Sequence, residues 1–178
     1  MARVMATGMP RGALAGLTAT IPMTVAMELM RRSLPAHERG SLPPKKVALR
    51  AARRTGLHAH LHDWQRDALA LVAHFGFGTI AGSLYAPLVG RVGLPPMVRG
   101  IIFGLLLWVV SYMGWLPAIQ LFGPATRDSS GRIGLMVAAH AVWGAALGFL
   151  LDRWSTPKAP YGVSRFGAAR PESGGSQR

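Results

Sequence analysis

From Ile133 to Leu151 the chain reads IGLMVAAHAVWGAALGFLL, with His140 as its sole ionisable side chain, Arg132 before it and Asp152-Arg153 after it. A helix needs roughly 20 apolar residues to cross the hydrocarbon core of a bilayer, and this run has that length. Three more runs share the pattern: Gly12–Met30 between Arg11 and Arg31-Arg32, Asp67 or Ala68 to Gly90 between Arg66 and Arg91, and Val98–Phe122 between Arg99 and Arg127. Core helices of a soluble bundle do not need four such runs in one short chain. In lipid every backbone polar group must be satisfied within the segment, which selects helices here. The expected fold is all-α, a bundle of four transmembrane helices.

Composition agrees with that reading. Half of the 178 residues are hydrophobic and the mean hydropathy is +0.27, yet 20 Lys+Arg stand against 7 Asp+Glu for a net charge of +13. Disorder is excluded for most of the chain because it requires low hydrophobicity. The cations flank the apolar runs, so they are the ordinary flanks of a membrane protein and do not call for nucleic acid. Absence of cysteine excludes disulfides, thiolate metal sites, iron–sulfur clusters and a cysteine nucleophile. The first run is no cleaved signal peptide on this reading, since it lacks a small-x-small site and ends in Glu28-Leu29-Met30-Arg31-Arg32. Trp64, Trp115 and Trp154 fall near run ends, where an amphipathic ring suits the headgroup boundary. Pro22 removes the hydrogen bond to the Thr18 carbonyl and is expected to kink the first helix.

The runs repeat in pairs. Arg11-Gly12-x3-Gly16-Leu17 matches Arg99-Gly100-x3-Gly104-Leu105, and His74-x3-Gly78-x3-Gly82 matches His140-x3-Gly144-x3-Gly148. Two tandem hairpins related by an axis along the membrane normal would give this pattern. At 100° per residue His74, Gly78, Gly82 and Tyr85 share one helix face, as do His140, Gly144, Gly148 and Leu151; the third run carries Gly100, Gly104, Trp108, Ser111 and Trp115 as a stripe. Small residues at these positions let helix backbones approach closely, within the bundle or against another membrane protein or a second copy.

The domain division is a flank over 1–11, a membrane domain over 12–154 and a flexible Pro/Gly/Ser-rich tail over 155–178. The connection 31–66 is the longest and most basic. After Pro43-Pro44 a short helix is expected over Lys45–Thr55, with Val47, Ala48, Ala51, Ala52 and Thr55 on one arc and Lys46, Arg50, Arg53 and Arg54 opposite. Lying in the interface, it would meet anionic lipid headgroups through Lys45, Lys46, Arg50, Arg53 and Arg54. Eleven of the 20 Lys+Arg fall on the side of this loop, an excess that places it in the cytoplasm by the positive-inside rule.

Ionisable groups within a bilayer point to function. Glu28 near the end of the first run, His74 and His140 early in the second and fourth, and Gln120 at the end of the third all lie at the depth of the long-loop side. Three uses stay open: interfacial pairing of Glu28 with Arg31 or Arg32 and helix-fixing bonds from the histidines; a proton, metal or small-solute pathway through Glu28, His74 and His140; or axial ligation of a haem or other porphyrin by His74 and His140. No cofactor is otherwise implied. His58-x-His60-x-His62 resembles a metal-binding run, but on a helix only His58 and His62 share a face, and a solvated loop is the simpler reading. No G-x-S-x-G, HExxH, P-loop or acidic dyad occurs, so no enzyme activity is expected. The leading expectation is an accessory or scaffold component.

Gly12-Ala13-Leu14-Ala15-Gly16-Leu17-Thr18-Ala19-Thr20-Ile21-Pro22-Met23-Thr24, the Leu42-Pro43-Pro44 turn, Ala73-His74-Phe75-Gly76-Phe77-Gly78 and His140-Ala141-Val142-Trp143-Gly144-Ala145-Ala146-Leu147-Gly148 together resemble bacterial membrane proteins of unknown function, broadly the YagU-like kind. The resemblance spans about Gly12 to Trp154. It implies a multi-pass protein of the bacterial inner membrane and brings no catalytic residues with it.

Overall fold

The apolar runs become long helices in the computed structural model, which describes residues 2–39, 43–89, 93–120 and 129–155. The order is α1 (Ala2–Ser33), α2 (Pro43–Arg54), α3 (Asp63–Val89), α4 (Pro96–Val109), α5 (Leu116–Ala118) and α6 (Ser130–Ser155). Short 3-10 turns occupy Ala36–Glu38 and Leu57–His60, and a π-helical segment, Val110–Trp115, joins α4 to α5. Four segments are long and apolar enough to cross a membrane: Gly8–Ser33, Asp63–Leu88, Pro96–Ala118 and Ser130–Ser155. Each helix runs past the charged residues that bound its apolar run, taking in Arg11, Arg31, Arg32, Arg66, Arg99, Arg132 and Arg153. Helical backbone bonds cost nothing extra at the headgroup level, and long cationic side chains reach outward from there. Gly90, Arg91, Leu121, Phe122, Arg127 and the tail beyond Ser155 lie outside the described residues.

α1 remains helical through Pro22. Along this stretch the Thr18, Thr20 and Thr24 hydroxyls donate to the carbonyls of Leu14, Gly16 and Thr20 at 2.9, 2.8 and 2.7 Å, so no threonine hydroxyl here is left without an acceptor in lipid.

The repeated glycines form two seams. A Cβ on Gly12 would meet the Gly82 carbonyl and Ala86, and one on Gly16 would meet the backbone of Gly78 and Gly82. In the second pair, Gly100 faces the backbone of Gly144 and Gly148, while Gly104 faces the His140 carbonyl. The seams join α1 to α3 and α4 to α6, which makes the two hairpins of the repeat physically equivalent units. α6 then packs along α1, so the helices follow each other around an arc as α3, α1, α6, α4, with α3 and α4 barely touching. Met23, Met27, Leu135, Met136, Ala139, Trp143 and Leu147 fill the middle. Leu14, Ile21, Val25, Val72, Ile80, Leu88, Leu106 and Val110 are exposed on the outside, as a lipid-facing surface requires.

α2 turns its apolar arc inward. Ala48 and Ala52 are buried and Val47 packs against the core, so this arc meets the bundle where an interfacial helix would have met lipid. An alanine-rich arc is too weakly apolar to prefer lipid tails, but its small side chains allow close packing on α3. Both ends are fastened: Lys45 pairs with Asp67 on α3, and Arg54 donates to the Ile119 carbonyl at 2.5 Å and to Gln120 Oε1 at 3.4 Å. Lys46 and Arg53 point outward and are exposed. The loop before α2 is anchored as well. Ser129 donates to Glu38 Oε2 at 2.7 Å just ahead of α6, and Arg132 donates to the Glu38 carbonyl at 3.0 Å, which sets a carboxylate at the positive end of a helix dipole.

Candidate intramembrane cavity

Where α3 and α4 diverge, a cavity of about 290 Å³ lies toward the long-loop side. Thr20 and Met23 of α1, Ala73, His74, Phe77 and Gly78 of α3, and Met136, His140 and Trp143 of α6 line it. Leu107, Trp108, Ser111, Tyr112, Trp115 and Leu116 form the α4–α5 wall, and Pro44, Val47, Ala48 and Ala51 of α2 form the cap. The wall is mostly apolar and rich in aromatic rings, the usual make-up of a site for a small organic ligand. Two ring pairs bridge α3 to the α4–α5 wall. Tyr85 and Phe103 meet at 5.0 Å near the second loop, and Phe77 and Trp115 meet at 6.2 Å beside the cavity.

The π-helical segment builds one wall. Pro117 has no N–H to bond Met113 and its ring crowds the carbonyl four residues back, which favours a wider turn here. The chain takes a wider turn in which the Leu116 N–H bonds the Ser111 carbonyl five residues earlier. Ser111, Tyr112 and Trp115 lie on this segment and all reach the cavity.

Most buried polar side chains of a folded protein find a partner. In this cavity some do: Thr20 donates to the Gly16 carbonyl, Trp143 Nε1 donates to the same oxygen at 3.3 Å, and His140 Nδ1 lies 2.8 Å from the Met136 carbonyl. A carbonyl can only accept, so His140 Nδ1 carries a proton, and in the neutral ring Nε2 is left as an acceptor. Three atoms do not. His74 Nε2, Trp108 Nε1 and Ser111 Oγ are buried without a hydrogen-bond partner, and all three residues line this one cavity.

Of the four polar residues that sequence placed at one depth, the structure gathers His74 and His140 on the cavity wall and leaves two elsewhere. Glu28 accepts from Arg31 through both oxygens at 2.8 Å and from Arg32 at 3.0 Å. Gln120 is exposed at the end of α5, has φ 56° and takes the bond from Arg54. Of the basic residues assigned to headgroups, Lys45 and Arg54 hold α2 in place. His58 and His62 belong to a turn region in which the His62 N–H donates to Gln65 Oε1 at 2.7 Å, and the described residues contain no group of three or more His, Asp or Glu placed to hold a metal. Partial burial, then Arg66 and Arg53, hold the His58 imidazole below its ordinary range, with Asp63 opposing them.

Sequence reasoning put Trp108, Ser111 and Trp115 on the glycine stripe of the third run but read that stripe as packing. Only its first part, Gly100 and Gly104, packs against α6; Trp108, Ser111 and Trp115 face the cavity. The signal was present in the change from glycine to Trp and Ser along one face. Compared with known protein families, curated proteins and solved structures, the chain matches none. The four apolar helices define a multi-pass membrane protein.

Proposed function

We propose that this is a non-enzymatic membrane protein that holds a small, largely apolar ligand in the cavity between its helices, beneath α2. The observation that carries the reading is the convergence of three unpartnered buried polar atoms, on His74, Trp108 and Ser111, at one apolar cavity. Leaving such groups bare costs about 1–3 kcal/mol each, a cost that a ligand with matching groups removes. A scaffold acting through glycine faces is less well supported, because both glycine seams are occupied inside the chain. A proton or ion pathway through Glu28 is disfavoured by the pairing of that carboxylate with Arg31 and Arg32 away from the cavity. A porphyrin between His74 and His140 is the second reading, carried by their shared cavity; a Soret band from the purified protein would replace the first with it. The basic loop is assigned to the cytoplasmic side of a bacterial inner membrane, in a protein broadly of the YagU-like kind.

Because the chain has no cysteine, a single introduced thiol reports on one site. Ser111→Cys is expected to react with the small neutral reagent methyl methanethiosulfonate in nanodiscs, whereas Ala139→Cys, fully buried in the core, stays unmodified. Equal inertness of the two thiols would remove the cavity as a binding site.

A further inference from the structure

We infer, on the reading just given, that the ligand is the uncharged, planar, carbonyl-bearing head of a membrane-dissolved amphiphile, of the quinone class, admitted from the bilayer between α3 and α4. Charge decides the first part. Among the described residues no Asp, Glu, Lys or Arg lines the cavity, and an ionic head taken out of water without a counter-charge would meet a desolvation cost of several kcal/mol. Donor chemistry decides the second. Indole Nε1–H can only donate, and Trp108 is 9% exposed with that atom unpartnered; Ser111, 6% exposed and three residues on, presents a second unpartnered donor, its hydroxyl. Two donors on one wall call for acceptor oxygens on the ligand, and His74 Nε2 on another wall meets a second edge of it, donating to a further oxygen in the Nε2–H tautomer. They also disfavour a cation, although aromatic rings alone could have attracted one.

Shape and access complete the assignment. Trp108 and Tyr112 stack at 5.8 Å with an interplanar angle of 23°, and the Phe77 and Trp115 rings add flat surface at the rim. Those two rim side chains are 37% and 39% exposed and form the ring contact that spans α3 and the α4–α5 wall beside the cavity, so a ligand arriving from lipid enters by parting this one pair. α2 caps the long-loop end and is fastened at Lys45 and Arg54, which makes the side between α3 and α4 the open route.

Intrinsic tryptophan fluorescence tests this, since quinones quench indoles. A decyl-substituted benzoquinone titrated into the full-length protein in phosphatidylcholine nanodiscs is expected to quench saturably. Trp108→Phe and Ser111→Ala, which remove a donor without adding bulk, should each raise the midpoint roughly tenfold, while the lipid-facing Leu106→Ala leaves it unchanged. Trp115 and Trp143 remain as reporters in the Trp108 variant. Decyl phosphate and decyltrimethylammonium should not compete. Linear, unsaturable quenching, indifference to both donor variants, or competition by either charged amphiphile would overturn the quinone assignment. Should that happen while Ser111→Cys still reacts with the neutral thiol reagent, the cavity stands and the ligand class alone falls; an inert Ser111→Cys removes both.

Discussion

Gly144 and Gly76 both lie inside long helices, yet their missing Cβ atoms mean opposite things. A Cβ on Gly144 would overlap the Gly100 carbonyl and press on Ile101, whereas one on Gly76 would meet nothing within 4 Å. Backbone cannot swing aside as a flexible side chain can, so Gly144→Ala should cost at least about 1–3 kcal/mol, the range for overpacking. Gly76→Ala should be neutral or stabilising by up to about 1 kcal/mol through helix propensity. Reversible unfolding in mixed micelles measures both, and equal effects would mean that the seam is looser than described. His58 gives a residue-scale prediction in pH. Its imidazole is held below the ordinary range by partial burial, then by Arg66 and Arg53, so the fold favours the neutral ring. The unfolded chain therefore binds the proton more readily, and the contribution of His58 is fully present above the unfolded value of about 6.5 and lost as pH falls through the folded midpoint. Imidazole NMR should show a depressed midpoint that rises in Arg66→Gln; a midpoint unmoved by that change would discount Arg66 as a cause.

At the scale of elements, the π-helical segment and α2 decide whether the cavity exists. Pro117 removes the N–H that would bond Met113, and the wide turn over Val110–Trp115 lies just before it. Pro117→Ala restores that donor. Regular helix through this turn would rotate Ser111 and Trp115 relative to Gly100 and Gly104, and the expected readout is a roughly tenfold slower reaction of a Ser111→Cys thiol with the neutral reagent. An unchanged rate would show that packing against α6, and not Pro117, sets the turn. α2 is held by groups that are themselves solvent-accessible, with side-chain exposures of 43% for Lys45 and 57% for Asp67. Such pairs contribute roughly 0.2–1 kcal/mol each. Lys45→Ala combined with Arg54→Ala should therefore leave the bundle intact while speeding hydrogen exchange at Val47–Ala52 by a few-fold.

At the scale of the molecule, hydropathy alone made the four spans legible, because lipid admits few ways to satisfy a backbone. The pairing of α1 with α3 and of α4 with α6 was legible too, in glycines recurring at spacing four beside a repeated Arg and His. Half of the proposed site could be read the same way, since the repeat puts His74 and His140 at equivalent depths. Trp108 and Ser111 could not be assigned to a cavity from periodicity, which gives a side chain's face but not whether a neighbouring helix covers it. Nor could α2, whose alanine arc suits protein or lipid until α3 is in place. Glu28 was legible in one of its three open uses: the pairing with Arg31 or Arg32, three and four residues on, is the one the structure shows. The arc order α3, α1, α6, α4 adds a prediction that no single span carries. Each half of the chain contains one complete glycine seam, and the halves meet chiefly where α6 runs along α1, with Trp143 Nε1 donating to the Gly16 carbonyl across that contact. Chains severed at Gly93 in the second loop should therefore co-purify when expressed together with a tag on one half. Ala139→Phe, placed at a fully buried position of α6, should weaken co-purification roughly five- to hundredfold, because overpacking costs about 1–3 kcal/mol and every 1.4 kcal/mol is a factor of ten. Gly76→Ala, on the open face of α3, should not. Retention of both halves with Ala139→Phe would place the main junction between α3 and α4 instead, and would close the lateral route on which the ligand assignment depends.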